Sequence, residues 1–164
     1  SDTAVYLHDS VLSYRQDNEG SSVNSPNKVH CVNDEYAEIH RWIVEDYAES
    51  HSSQDVAKLL RFANIIKYDS YMWSYIRLNP KFYAEFLDRM AQEFHGALEA
   101  HEFELTDLKP WKRANLKAIV DDPQKWLAES SDFAGAGAMC RAKHYARVGG
   151  PGVVVAFVLD AIKK

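Results

Sequence analysis

The chain has 164 residues, with 24 acidic and 19 basic side chains and a formal net charge of −5. A chain of this length buries about 70 % of its unfolded surface in one core, so a single domain over residues 1–164 is expected and a disulfide scaffold is not required. Apolar (46 %) and charged (26 %) contents match ordinary globular domains, which excludes wholesale disorder, and the longest apolar run, Val153 to Leu159, is too short to cross a bilayer.

Residues 1–32 read as an irregular amino-terminal arm. Short apolar clusters at Val5, Leu7, Val11 and Leu12 are followed by an Asn/Gly/Ser/Pro loop, and a short strand is compatible with them. From residue 33 the punctuation turns helical. Asn33 or Asp34 caps a first helix whose Tyr36, Ile39, Ile43 and Tyr47 share a face. Ser52, with Asp55 three residues on, opens a second helix carrying Val56, Leu59, Leu60, Ala63 and Ile66. Asp69 or Ser70 is read as starting a third, short helix through Ile76.

Asn79-Pro80 starts a fourth helix, since Asn caps well and Pro suits the first helical position; Tyr83, Leu87, Met90, Phe94 and Ala97 form its inward stripe. Pro110 and Asp122-Pro123 mark two further starts. Asp132 is read as capping a helix that Gly149 ends. For Val153 to Ile162, three successive valines favour a strand while the helical neighbours favour a buried closing helix, and helix is preferred. The fold predicted is all-α: an irregular bundle of five to seven helices over 33–164.

Four constellations bear on chemistry. Cys140 and His144 are four apart, so on a helix they share a face, and a thiol beside a base is the nucleophile pair of a small hydrolase or transferase. The competing reading packs Cys140 into the core beside Met139 and leaves His144 in solvent. No histidine or cysteine spacing fits a metal site, and no glycine pattern fits a nucleotide site, so no metal and no cofactor are expected. The aromatic band Tyr68, Tyr71, Trp73, Tyr75, Phe82, Tyr83 and Phe86 reads mainly as core, with Tyr71, Trp73 and Phe82 the ones left for exposure. Lys109, Lys112, Arg113 and Lys117 place positive charge on one helical face, yet the acidic chain as a whole disfavours nucleic acid.

The charge is unevenly spread: residues 1–50 hold ten acids and three bases, whereas residues 101–164 hold eight acids and ten bases. Together with the missing catalytic signatures, this favours a non-catalytic interaction protein of inhibitor, immunity or adaptor type. It would meet a basic protein partner through Glu35, Glu38, Glu45, Asp46, Tyr71, Trp73, Arg77 and Phe82. The alternatives are the Cys140–His144 enzyme and a nucleic-acid-binding regulator. Two widely separated cysteines and the lack of a signal-peptide pattern favour a soluble cytoplasmic protein without membrane contact.

Overall fold

In the computed structural model, which describes residues 31–130, 133 and 137–162, every regular element is a helix. Residues 1–30 of the amino-terminal arm, with its candidate strand, lie outside the described residues, and the first helix opens at Cys31, so that Asn33 and Asp34 lie within it rather than capping it. Helix α1 (Cys31–Trp42) runs into a π-helical turn, Ile43–Tyr47, and a last α-turn, Ala48–Ser50. Then come α2 (Ser53–Tyr75), α3 (Tyr83–Glu99), α4 (Pro110–Asp121), α5 (Pro123–Glu129), α6 (Ala138–Gly149) and α7 (Pro151–Ile162). Two short 3₁₀ turns, Pro80–Phe82 and Leu105–Asp107, lead into α3 and α4. No helix among the described residues is long and apolar enough to cross a membrane.

Local chemistry sets most of the boundaries. The Ser52 hydroxyl accepts the Asp55 N–H at 3.2 Å, Asn79 Oδ1 accepts the Lys81 N–H at 3.1 Å, and Asp122 Oδ1 accepts the Lys125 N–H at 2.8 Å. Each satisfies a donor that helix geometry leaves without an internal partner. Pro110, Pro123 and Pro151 occupy first helical positions, where a missing N–H costs nothing. Gly150, at φ 76°, ends α6 in a conformation that side chains disfavour. The Asp132 cap lies outside the described residues; α6 starts later, at Ala138, behind Gly137.

The expected break at Asp69 or Ser70 is absent, and α2 continues unbroken to Tyr75. Tertiary partners take up the two side chains that would have capped. Lys112 Nζ donates to the Asp69 carboxylate (2.7 Å to Oδ2), and Ser70 Oγ bonds the Tyr36 hydroxyl at 2.8 Å. The core face of α2 also differs from the expected stripe. Asn64, Tyr68, Tyr71 and Tyr75 are buried, while Ile66 is exposed. The buried face therefore sits about one residue step, 100°, from the one read off the aliphatic residues.

Helix α3 supplies the centre of the core, with Phe86, Leu87, Met90, Phe94 and Ala97 all buried. The Phe94 ring meets Tyr71 and Phe103 edge-on, each at 5.8 Å between centroids. Helix α4 packs on α3, α5, α6 and α7, and α1 lies along α2. Helix α7 is helical as expected, yet it is not buried: Val155, Val158, Leu159 and Ile162 form an exposed apolar stripe.

The α6–α7 corner depends on Gly149. A Cβ there would lie 2.6 Å from Val153 Cγ2 and 2.7 Å from Ala114 Cβ, so α4 approaches at a distance only glycine allows. Gly149→Ala is expected to cost about 1–2 kcal/mol through overpacking, measured as a lowered urea midpoint. An unchanged midpoint would mean that α4 and α7 yield freely.

Candidate functional site

Where α1 crosses α2 there is an open groove of about 400 Å³ lined by Glu35, Tyr36, Ile39, Asp69, Ser70, Trp73 and Ser74. Tyr36 fixes its floor, since its hydroxyl bonds Ser70 and its ring lies 6.5 Å from that of Tyr71. Ile39 (42 % exposed) and Trp73 (43 %) stand in its walls as large apolar side chains facing water. The Arg77 guanidinium stacks 3.6 Å above the Trp73 ring and donates to the Trp73 carbonyl oxygen at 2.9 Å. Cation–π contact of this kind restrains the indole in one orientation. Asp69 is neutralised by Lys112, while Glu35 has no ion-pair partner among the described residues.

Of the eight residues nominated for partner binding, Glu35 and Trp73 meet in this groove and Arg77 braces it. Glu38, further along α1, and Glu45, in the π-helical turn after it, bracket Arg41. Hydrogen bonding and charge from Arg41 hold the Glu38 carboxyl below its ordinary range. Asp46 is exposed, and Phe82 is half-buried beneath Lys81, whose Nζ lies 4.7 Å from the ring centroid. Tyr71 is not at the surface at all: it is 0 % exposed, packs on Phe86 and Phe94, and donates its hydroxyl to Glu93. It shares the core face of α2 with Tyr68 and Tyr75 because residues three and four apart stack on one side.

Sequence reasoning missed a second, more polar cavity of about 370 Å³ enclosed by α1, α2 and α3. Here His40 Nε2 meets Glu102 Oε1 at 2.5 Å, Asn64 Nδ2 donates to Glu102 Oε2 at 3.3 Å, and Lys67 pairs with Glu93 at 2.8 Å. Glu102 reaches the cavity from the end of α3. Its N–H returns to Ala97 O and that of His101 to Leu98 O, with His101 in the left-handed region at φ 55°. Partners 62 and 26 residues apart leave no local spacing to detect. Among the described residues no group of three or more His, Cys, Asp or Glu side chains converges as metal ligands do.

The placements expected for Cys140 and His144 are reversed. Cys140 is a free, exposed thiol beside exposed Met139, whereas His144 is only 5 % exposed. Both line a small cavity of about 110 Å³, but the ring nitrogens of His144 are engaged elsewhere, by Ser130 Oγ (3.0 Å) and Asn115 Oδ1 (2.7 Å). The bonding pattern fixes the tautomer. Trp126 Nε1–H, which can only donate, points at Asn115 Oδ1 (3.0 Å), so the amide oxygen faces Trp126 and His144, and Asn115 Nδ2 donates to the Tyr68 hydroxyl (3.0 Å). His144 therefore carries its proton on Nε2 and accepts from Ser130 on Nδ1. Burial, with a smaller contribution from the charge of Arg147, lowers the His144 pKa to about 4.

The basic face nominated for nucleic acid is largely neutralised. Lys109 pairs with Asp160, Lys112 with Asp69 and Lys117 with Asp121. Arg113 donates to the carbonyl oxygens of Leu105, Thr106 and Leu108. No family model, no curated protein and no solved structure matches the chain.

Proposed function

We propose that this chain is a protein-interaction module whose α1–α2 groove takes a partner segment that presents an apolar anchor beside a basic side chain. The observation that carries this reading is the groove itself, in which Ile39 and a braced Trp73 stand exposed beside Glu35, which has no ion-pair partner among the described residues. Solvent-facing Trp braced by Arg is the kind of pre-organised anchor point on which a few residues supply most of the binding energy. The rest of α1 and the two turns after it keep the field negative: between residues 35 and 49 there are five acids and one arginine. A negative surface speeds encounter with a positive partner and does so less as salt rises. The neutralised face of α4 and the engaged ring of His144 give the nucleic-acid and Cys–His readings no comparable feature.

Selection from a random peptide library tests it. Enriched peptides are expected to carry Lys or Arg within a few residues of Leu, Ile, Met or an aromatic residue, and their affinity should fall as sodium chloride is raised. Ile39→Asp and Trp73→Ala are each expected to weaken the selected peptides by about tenfold or more. Selection of acidic peptides, or equal binding by both variants, would refute the proposal.

A further inference from the structure

The cavity among α1, α2 and α3, about 370 Å³ and half-open to solvent, is more than twice the roughly 150 Å³ that holds a benzene ring. Small side chains leave the room: Ala37 on α1, Ala63 on α2 and Ala97 on α3 stand on its walls, and Leu60 adds an apolar flank. It shares Tyr36 with the α1–α2 groove but none of the polar groups that follow.

That polar wall is short of a cation. Glu93 and Glu102 face a single lysine, Lys67, which pairs with Glu93 at 2.8 Å. The Glu102 carboxylate is only 16 % exposed and meets the His40 ring and the Asn64 amide, with neither Lys nor Arg against it among the described residues. Carboxylates taken out of water are ordinarily paired with a cation.

Asn64 supplies an independent observation. The residue is 5 % exposed, and its Nδ2 lies against two groups that only accept, Leu60 O at 3.1 Å and Glu102 Oε2 at 3.3 Å, which fixes the orientation of the amide. Its Oδ1 has no donor among the described residues, yet it is not sealed in, so an acceptor on the cavity wall stands unpaired and within reach of a ligand.

The acceptors also select the kind of cation. Each Glu102 oxygen already has one bond, Oε1 with His40 and Oε2 from Asn64, so the carboxylate lacks the open two-oxygen edge that a guanidinium fork uses. An ammonium takes single lone pairs from separate groups, which is what Oδ1 and the carboxylate have left to offer. We propose that this cavity binds a primary alkylammonium group, its N–H donors on Asn64 Oδ1 and the Glu102 carboxylate and its chain along Leu60 and the three alanines. The group belongs to a free small amine or to a lysine side chain of another protein, and the experiment separates the two.

The probe is n-butylammonium chloride, with butan-1-ol as the chain without charge and butyltrimethylammonium as the charge without N–H donors. In ¹⁵N-labelled protein, n-butylammonium is expected to shift the Asn64 side-chain amide resonances saturably, and each analogue is expected to bind at least about tenfold more weakly. Glu102→Gln keeps the shape and removes the charge, while Ala63→Leu fills the space from α2; each is expected to weaken n-butylammonium by about tenfold or more. The lysine diamide Nα-acetyl-L-lysine N-methylamide presents the same group on a peptide backbone. Binding at least as tight as that of n-butylammonium supports a lysine side chain, and weaker binding supports a free amine. The proposal is overturned by the absence of a saturable shift up to about 10 mM n-butylammonium. Equal binding of either analogue, or unchanged affinity in whichever variants fold, overturns it as well. Glu102 and Ala63 line this cavity and not the groove, so failure of the groove interaction leaves the test intact.

Discussion

Replacing Asn115 by alanine is expected to lower the unfolding free energy by about 3–5 kcal/mol. The side chain is 0 % exposed, and its oxygen is the acceptor for two donors at once, Trp126 Nε1–H and His144 Nε2–H. Each would be left buried and unpaired, at about 1–3 kcal/mol apiece, and the lost amide leaves a void where α2, α4, α5 and α6 meet. Urea denaturation followed by tryptophan fluorescence measures the change. A loss under about 1 kcal/mol would show that water replaces the amide readily and that the network is not what joins these helices.

The same network makes the fold acid-sensitive. His144 is held at a pKa of about 4, against 6.5 ordinarily, so the unfolded chain takes up this proton first as the pH falls. Its contribution is therefore complete above about pH 6.5, declines through the interval down to pH 4, and changes little below that. The shift corresponds to about 3 kcal/mol over that window. Carboxylates titrate in the same range, so the measurement is a difference: urea midpoints at pH 7 and pH 4.5 for wild type and for His144→Gln. The wild type should lose more stability between the two pH values than the variant, and parallel losses would remove His144 as the cause.

The helix boundaries were legible because they rest on neighbours in the chain. Ser52, Asn79-Pro80, Pro110, Asp122-Pro123 and Gly149-Gly150 act within a few residues of themselves, and each sits at an element end. Asp69 and Ser70 carry the same chemistry without ending anything, since Lys112 and Tyr36 compete for them from 43 and 34 residues away. Tyr71 reads as exposed when Met72, Tyr75 and Ile76 set the inward side of a short separate helix, but the unbroken α2 buries a face that Asn64 shares: its amide is satisfied by Leu60 O and Glu102, so it can occupy the core. The inversion of Cys140 and His144 has a similar origin. A histidine is expected in water unless both nitrogens find partners, and those partners, Ser130 and Asn115, come from segments with no sequence relation to it. Two of the seven residues that line the groove are legible in sequence: Glu35 and Trp73 follow from charge and exposure, while Ile39 reads as part of an apolar helix face and emerges as a wall only once α1 is laid across α2.

Trp73 lines the α1–α2 groove and also a neighbouring half-open pocket of about 160 Å³ that Trp111, Tyr145 and Phe157 help to wall. A single indole, held by the Arg77 stack, thus forms part of the wall of both spaces. A ligand that displaces the ring in the groove therefore also reshapes the wall of the pocket. Whatever factor a pocket ligand imposes on groove affinity, a groove ligand imposes the same factor on the pocket. Ile39 and Trp111 each touch only one of the spaces, so substitutions there separate the two events, whereas any change at Trp73 alters both together.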